Sequence, residues 1–328
     1  MNPAIFAEAL QHELQQTTYG QAPPELYDPI RYIMSLGGKR MRPMMTLMAA
    51  YLFTDDWRKA VKPALAVEVF HNFTLMHDDI MDQAPLRRGQ PTVHEKWNHN
   101  TAILSGDVML VNAYELLADI ETPHLRRVLT RFNRVAAEVC EGQQLDMNFE
   151  TRWDVAESEY IGMIKLKTSV LLGFALELGG ILAGADAGST DHLREAGINI
   201  GIGFQLKDDL LDVYGDPAKF GKQVGGDILA NKKTFLLIEA LEQAGADHKA
   251  DLIYWLNQTD FNGDASAREA KVRAVTRIYD ELGIRQITES RIADYFSRGF
   301  ANFDEVRAEP TRRALLLNFA RQLVERES

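Results

Sequence analysis

Apolar residues recur along this chain at spacings of three and four, and strict alternation of apolar with polar positions is nearly absent. Spacings of three and four line one face of an α-helix, whereas alternation lines one face of a strand. The pattern therefore predicts helices over residues 4–18, 25–36, 43–53, 60–82, 101–119, 123–149, 155–183, 190–214, 233–244, 267–282 and 312–326. The punctuation agrees. AGADAGST at 183–190 offers glycines to stop one helix and Asp, Ser and Thr to cap the next. Gly37-Gly38, Asp216-Pro217 and Gly225-Gly226 mark further loops. No fixed-period repeat, proline-rich linker or low-complexity segment divides the sequence. The expectation is one all-α domain over residues 1–328, with C-terminal helices over about 263–328 and the stretch beyond about Asn262 as its least constrained part.

Composition narrows the classes. With 328 residues and 46% hydrophobic content, the chain can bury one large core or two modest ones. A net charge of −11 argues against nucleic acid as a partner, because non-specific affinity for it comes from Lys and Arg neutralising phosphates. An anionic substrate has to be met locally. The single cysteine, Cys140, excludes a disulfide framework and a cysteine metal cluster, which fits a cytoplasmic protein. No basic stretch followed by an apolar one opens the sequence, so no signal peptide is expected. The longest apolar runs, such as 169–185, are glycine-interrupted and carry Glu177, so no membrane anchor is expected either.

Two acidic clusters stand out against this helical background. LMHDDIMDQAPLRRG (75–89) and FQLKDDLLDVYGD (204–216) each place aspartates at i, i+1 and i+4: Asp78, Asp79 and Asp82, then Asp208, Asp209 and Asp212. At 3.6 residues per turn the first and last of each set stack on one face. Like charges at i, i+4 cost an isolated helix roughly 0.2–0.5 kcal/mol, so each cluster calls for a cation. Carboxylates without His or Cys at ligand spacing select a hard ion, and Mg²⁺ takes only one or two of them before completing its shell with water and phosphate oxygens.

Candidate phosphate-binding groups accompany the acids. LGGKRMRP (36–43) brings two glycines and Lys39, Arg40 and Arg42 to a helix start, where orphan amides and the helix dipole favour anions. Arg87 and Arg88 follow the first cluster, and arginine forks bind phosphate in bidentate fashion. Lys167 in KLKTS, Lys222 in GKQVGGD and Lys232-Lys233 in NKKT are further candidates. His71 precedes Asp78 by seven residues, about 20° away on a helical wheel.

Taken together, GGKRMRP, HNFTLMHDDIMD, LRRGQPTVH, GQQLD, KLKTS, FQLKDDLLDVYGD and GKQVGGDILANKKT, in that order, resemble the motif set of the trans-isoprenyl diphosphate synthases, also called polyprenyl synthetases. The resemblance spans a core of about 36–234; the flanks, including everything past Asn262, do not contribute to it.

The resemblance implies an isoprenoid-synthase helical bundle around a central cavity, a homodimer, and head-to-tail condensation of an allylic diphosphate with isopentenyl diphosphate. It implies Mg²⁺, three ions with substrate bound, held by Asp78, Asp82 and Asp208 with support from Asp79 and Asp212, while Asp209 completes the second motif. Arg87, Lys167, Thr168, Gln205, Lys222 and Lys232 match positions that steady the allylic diphosphate. Lys39, Arg42, His71 and Arg88 match the isopentenyl diphosphate pocket. Residues four and five before Asp78 are Thr74 and Phe73, which by the same resemblance sense the growing tail; the helical wheel puts Thr74 about 40° and Phe73 about 140° from Asp78. An aromatic residue at the fifth position, with no insertion inside the acid motif, resembles short-chain synthases making geranylgeranyl diphosphate, twenty carbons, or farnesyl diphosphate, fifteen. A longer-chain synthase, a class I terpene cyclase and a non-catalytic synthase subunit remain as alternatives. A cyclase has an NSE- or DTE-like second motif where this chain has Asp208, Asp209 and Asp212, and such subunits tend to lose acids from one cluster where this chain keeps all of them.

Overall fold

The computed structural model describes residues 2–216, 225–261 and 263–325. Helix makes up 78% of the chain, and its strands are two-residue pieces, so the fold class is all-α. The residues sort into two compact units, each assembled from several stretches.

The first unit comprises 1–137, 171–197 and 302–322. It holds α1 (Ala4–Gln16), α2 (Pro24–Ser35), α3 (Met41–Tyr51), a 3₁₀ turn (Trp57–Ala60), α4 (Val61–Met81), a hairpin of β1 (Leu86–Arg87) and β2 (Gln90–Pro91), α5 (Val93–Lys96) and α6 (His99–Ala118). The start of α7 (Thr122–Glu150), nearly all of α9 (Val170–Leu182) and the start of α10 (Ala187–Tyr214) belong to it as well. Helix α4 is largely apolar through its first ten residues, with Lys62 at the surface and Glu68 as its one buried charge there, and the rest of that stretch is buried, as suits a central helix. It packs on α1, α3 and α6. Phe70 of α4 meets Phe132 edge-on at 5.0 Å, and Phe132 meets Phe174 at 5.8 Å, so aromatic rings tie α4 to α7 and α9.

The second unit comprises 138–170, 198–301 and the residues after 322. It contains the end of α7, α8 (Glu157–Ile164), a π turn (Lys165–Ser169), most of α10, α11 (Gly226–Leu229), α12 (Phe235–Gln243), α13 (Ala246–Leu256), α14 (Ala265–Glu281) and most of α15 (Ile284–Asp304). Helix α16 (Pro310–Glu325) closes the described chain. The core here gathers Val213, Ile228, Leu236, Ala240, Leu252, Val275, Ile278, Tyr279 and Ile284.

That core corrects one expectation. The stretch past Asn262 is not the least constrained part: α14 and α15 supply four of those nine residues. In α14 the apolar positions Val275, Ile278 and Tyr279 are few among charged neighbours, yet the fold buries all three. Helix α13 lies in a region where no helix was expected, and α15 falls within the expected C-terminal helices over about 263–328 but between the two ranges, 267–282 and 312–326, that the spacing picked out. In α13 the apolar residues crowd into its C-terminal half, DLIYWL, too short a run to show a period. The single helix expected over 155–183 is instead interrupted at KLKTS, where the Val170 amide bonds the carbonyl of Lys165 five residues back. Such π turns are rare and recur at functional positions. Among the described residues, one helix, α6, has the length and apolar content to cross a membrane, although it carries Asp107 and Glu115.

Candidate active site

In the first unit the aspartates occupy the last turn of α4, the negative end of the helix dipole, where carboxylates are least favoured. Their exposures differ. Asp79 is buried at 2%, Asp78 is half-buried, and Asp82, the C-cap, is exposed. The β1–β2 hairpin folds back to place Arg87 over Asp79, with Nε donating to Oδ1 and Oδ2 at 3.0 and 2.8 Å and Nη2 donating to Oδ1 at 2.7 Å. Burial raises the Asp79 pKa above the usual carboxylate range in spite of this fork. The hairpin is tied down by Thr92, whose hydroxyl donates to the Ala84 carbonyl at 2.7 Å.

The loop before α3 lies beside the same helix. Arg40 adopts a left-handed conformation at the N-cap, and no side chain caps the first amides of α3. Its guanidinium is already committed, to Glu68 at 2.5 Å and to the Met34 carbonyl at 2.6 Å, so Arg40 neutralises a buried acid. Arg42 approaches His71 Nε2 at 3.2 Å. A guanidinium can only donate, so Nε2 accepts and the His71 proton sits on Nδ1. Burial first, then Arg42 and Arg88, hold the His71 pKa well below its ordinary value, and the ring stays neutral. The Arg42 Nε is buried with no hydrogen-bond partner. Arg88 Nη1 donates to the Gly37 carbonyl, which joins the hairpin to the GGKR loop. Gly38 has φ 128°, and a Cβ there would come within 2.9 Å of the Arg88 guanidinium, so only glycine fits. Lys39 is exposed in that loop.

Phe73 and Thr74 stand on α4 one turn earlier. The Phe73 ring lies between Phe70 at 5.5 Å and His77 at 4.8 Å, and the Thr74 hydroxyl donates back to the His71 carbonyl at 2.8 Å.

In the second unit the acid turn closes α10, again at a C-terminus. Asp208 is exposed, Asp212 half-buried and Asp209 buried at 4%. The two clusters thus share a layout in which the central acid is the buried one. Asp209 accepts from the Tyr160 hydroxyl and from Gln205 Nε2 at 3.2 Å, while Thr168 donates to Gln205 Oε1 at 3.3 Å. Burial and the neighbouring Asp227 push the Asp209 pKa up to about 7, against the pull of Tyr160, Lys232 and Gln205. Lys167, carried by the π turn, donates to Asp146 of the GQQLD stretch at 2.7 Å. Asp212 accepts from the Asp227 amide at 2.9 Å through its side chain and from the Gly225 amide at 2.6 Å through its carbonyl. Lys232 follows that short segment and is exposed.

Comparison with known proteins decides the family. A family model for polyprenyl synthetases matches residues 23–274. The chain belongs to the polyprenyl synthetase family. It is similar to a geranylgeranyl diphosphate synthase of Methanosarcina mazei, with 38% identity covering 93% of this chain and 91% of that one. A solved geranylgeranyl pyrophosphate synthase covers all of both chains at 44% identity and a TM-score of 0.95. A geranylgeranyl pyrophosphate synthase from Corynebacterium glutamicum, solved with isoprenyl diphosphate and magnesium, superposes with a TM-score of 0.84 at 28% identity, covering 99% of this chain and 98% of that one. This polyprenyl synthetase is accordingly a trans-prenyltransferase.

Within the polyprenyl synthetase, the structure gathers the predicted residues in two groups. Asp78, Asp79, Asp82, Arg87, Arg88, Arg42 and His71 share the first unit; Thr168, Gln205, Asp208, Asp209, Asp212, Lys167 and Lys232 share the second. Lys222 lies outside the described residues. Among the described residues no three His, Cys, Asp or Glu side chains gather into a self-sufficient metal site. The aspartates of the two acid turns are oxygen donors of the kind that suits Mg²⁺, which takes one or two carboxylates and fills the rest of its shell with water and substrate oxygens. Sequence reasoning assigned no role to Tyr160, which anchors Asp209, or to Gln143, whose side-chain N and O are both buried without a partner. The GQQLD motif was the available signal for Gln143; Tyr160 carries none.

Proposed function

We propose that this synthase condenses an allylic diphosphate with isopentenyl diphosphate head to tail and that its main product is geranylgeranyl diphosphate. Magnesium ions, three with substrate bound, are held by Asp78 and Asp82 in the first unit and by Asp208 and Asp212 in the second. Bound there, they supply Lewis-acid stabilisation of the departing diphosphate. Asp79 and Asp209 support these carboxylates from the buried side, which fits their existing hydrogen bonds. Arg87 keeps Nη1 for the allylic diphosphate while Nε and Nη2 hold Asp79. Lys167, Lys222 and Lys232 add positive charge to the same leaving group, and Thr168 and Gln205 place polar atoms beside it. Lys39, Arg42, Arg88 and neutral His71 bind isopentenyl diphosphate; the unpartnered Arg42 Nε is the observation that supports a ligand at that pocket. The diphosphate released from the allylic substrate takes the final proton, so no protein base is assigned.

The observation that carries this reading is the repeated layout of the acid turns, one buried and anchored carboxylate flanked by two less buried ones, on a chain of this family. Incubation with Mg²⁺, farnesyl diphosphate and labelled isopentenyl diphosphate is expected to give a twenty-carbon product on chromatography after dephosphorylation. Cyclised hydrocarbon from the allylic substrate alone, or no turnover, would refute the proposal. Phe73, held between Phe70 and His77, is assigned the role of limiting the tail. Replacing it with Ala is expected to move the product distribution beyond twenty carbons, and an unchanged distribution would remove Phe73 from that role.

The match over 23–274 includes residues of both units, which supports a single catalytic domain. We also assign a homodimer, formed through the outward face of α6, where Ile103, Leu104, Val111 and Tyr114 are 36–57% exposed. Contiguous exposed apolar surface of this kind marks interaction sites. Leu104→Asp is expected to shift the protein toward monomer in sedimentation, and an unaltered sedimentation coefficient would place the interface elsewhere.

A further inference from the structure

Helix α14 carries a charge that the proposed chemistry leaves unused. Lys271 is 0% exposed, and its ammonium meets no carboxylate among the described residues. Burying an unpaired cation is costly, and here burial lowers its pKa to about 8. What it does contact is specific. Lys271 Nζ donates to Asn231 Oδ1 at 2.6 Å and to the Gln258 carbonyl at 3.0 Å, and it stands 5.7 Å from the centre of the Phe261 ring.

Asn231 is one of the few non-glycine residues with positive φ, at 55°, a left-handed corner that asparagine tolerates but does not prefer. The corner is held from both sides: Lys271 takes the side-chain oxygen, and Asn231 Nδ2 donates to the Leu256 carbonyl at 2.8 Å. Lys232 comes next in the chain, and its amide bonds the Asp227 carbonyl at 2.9 Å. Asp227 in turn donates its amide to Asp212 Oδ2. The neighbour of Lys271 acts at the other end of this segment. A Cβ on Gly225 would come within 2.7 Å of Val272 Cγ1, and the Gly225 amide bonds the Asp212 carbonyl. Two successive residues of α14 thus brace both ends of the short segment from Gly225 to Asn231, whose Gly225 and Asp227 amides meet Asp212 and which leads into Lys232.

We infer that Lys271 is a positioning residue for the second acid turn: by fixing Asn231 in its corner it sets the place of Lys232 and, through residues 225–231, that of Asp212. The inference rests on the proposed function, since it takes Lys232 and Asp212 to serve the allylic diphosphate. It assigns a role in that chemistry to a helix outside the motif-bearing core.

The test uses full-length Lys271→Met, which keeps the length of the side chain and removes its donors, and Asn231→Gly, which keeps the corner and removes the acceptor. In each, the KM for the allylic diphosphate is expected to rise on the order of 10-fold, as for other outer supports of a metal or phosphate site. The KM for isopentenyl diphosphate, whose pocket is in the first unit, is expected to stay the same. Hydrogen exchange in metal-free protein is expected to quicken at the Asp227 and Lys232 amides in both variants. The double variant is expected to be no worse than Asn231→Gly alone, because Lys271 acts on the segment through Asn231. An unchanged allylic KM, an equal rise in both KM values, or additive losses in the double variant would overturn the inference. Should Lys271→Met fail to fold, Asn231→Gly carries the same test. Wild-type protein that makes no prenyl product would sink the functional reading instead, and the exchange measurement would still decide whether Lys271 fixes the segment.

Discussion

Asp208→Ala and Asp78→Ala are each expected to lower turnover on the order of 10³-fold or more while the far-ultraviolet circular dichroism stays that of the wild type. The size follows from removing a ligand to the ions that stabilise departing diphosphate, a loss at least as large as deleting one preorganised donor from an oxyanion site. The stability side runs the other way. Asp208 is exposed on α10, more than a turn before its end at Tyr214, and Ala has the better helix propensity there. Asp208→Ala is therefore expected to melt no lower than the wild type. Near-normal turnover in either variant would contradict the metal assignment, and a large fall in melting temperature for Asp208→Ala would make the residue structural.

Arg87→Met is expected to cost about 3 kcal/mol of stability, because it leaves the Asp79 carboxylate buried without its fork. The figure sits at the low end of the range for broken buried pairs since Arg87 keeps some contact with solvent, its side chain being 24% exposed. Asp79→Asn in the same chain is expected to recover much of the loss, since a neutral amide needs no counter-charge. The pH dependence has a definite sign. A carboxyl whose folded pKa is raised favours the folded state below its ordinary pKa and loses that contribution as pH rises through the folded value. Burial already raises the pKa of Asp79 with Arg87 present and raises it further without it. The deficit of Arg87→Met therefore shrinks in acid and grows toward neutral pH. Chemical denaturation at several pH values checks this; a deficit independent of pH, or a double variant as unstable as the single one, would mean that the pair does not set the cost.

Much of this was legible in the sequence because it is local. The acid turns, the GGKR loop and the helices that carry them are short-range patterns, and α4 announces itself through an almost unbroken apolar run from Val61 to Phe70. What stayed hidden depends on residues far apart in the chain or on backbone geometry. Arg87 looked like a phosphate ligand; only the fold-back of the β1–β2 hairpin shows that two of its donors are spent on Asp79. The π turn at KLKTS has ordinary helical composition, and its register slip is invisible in a period of 3.6. Lys271 reads in AREAKVR as one more solvated lysine, yet the fold buries it. Arg40 stood in the sequence as a third phosphate candidate, and its pairing with Glu68, 28 residues away, removes it from that list.

The central claim is that Asp78, Asp82, Asp208 and Asp212 hold the allylic diphosphate through magnesium ions. Calorimetry with an unreactive allylic thiodiphosphate tests it directly. The ligand is expected to bind in the presence of Mg²⁺, to lose most of its affinity when the metal is chelated, and to bind poorly to Asp78→Ala and Asp208→Ala even with metal. Equal affinity with and without Mg²⁺, or full affinity in both variants, would contradict the account.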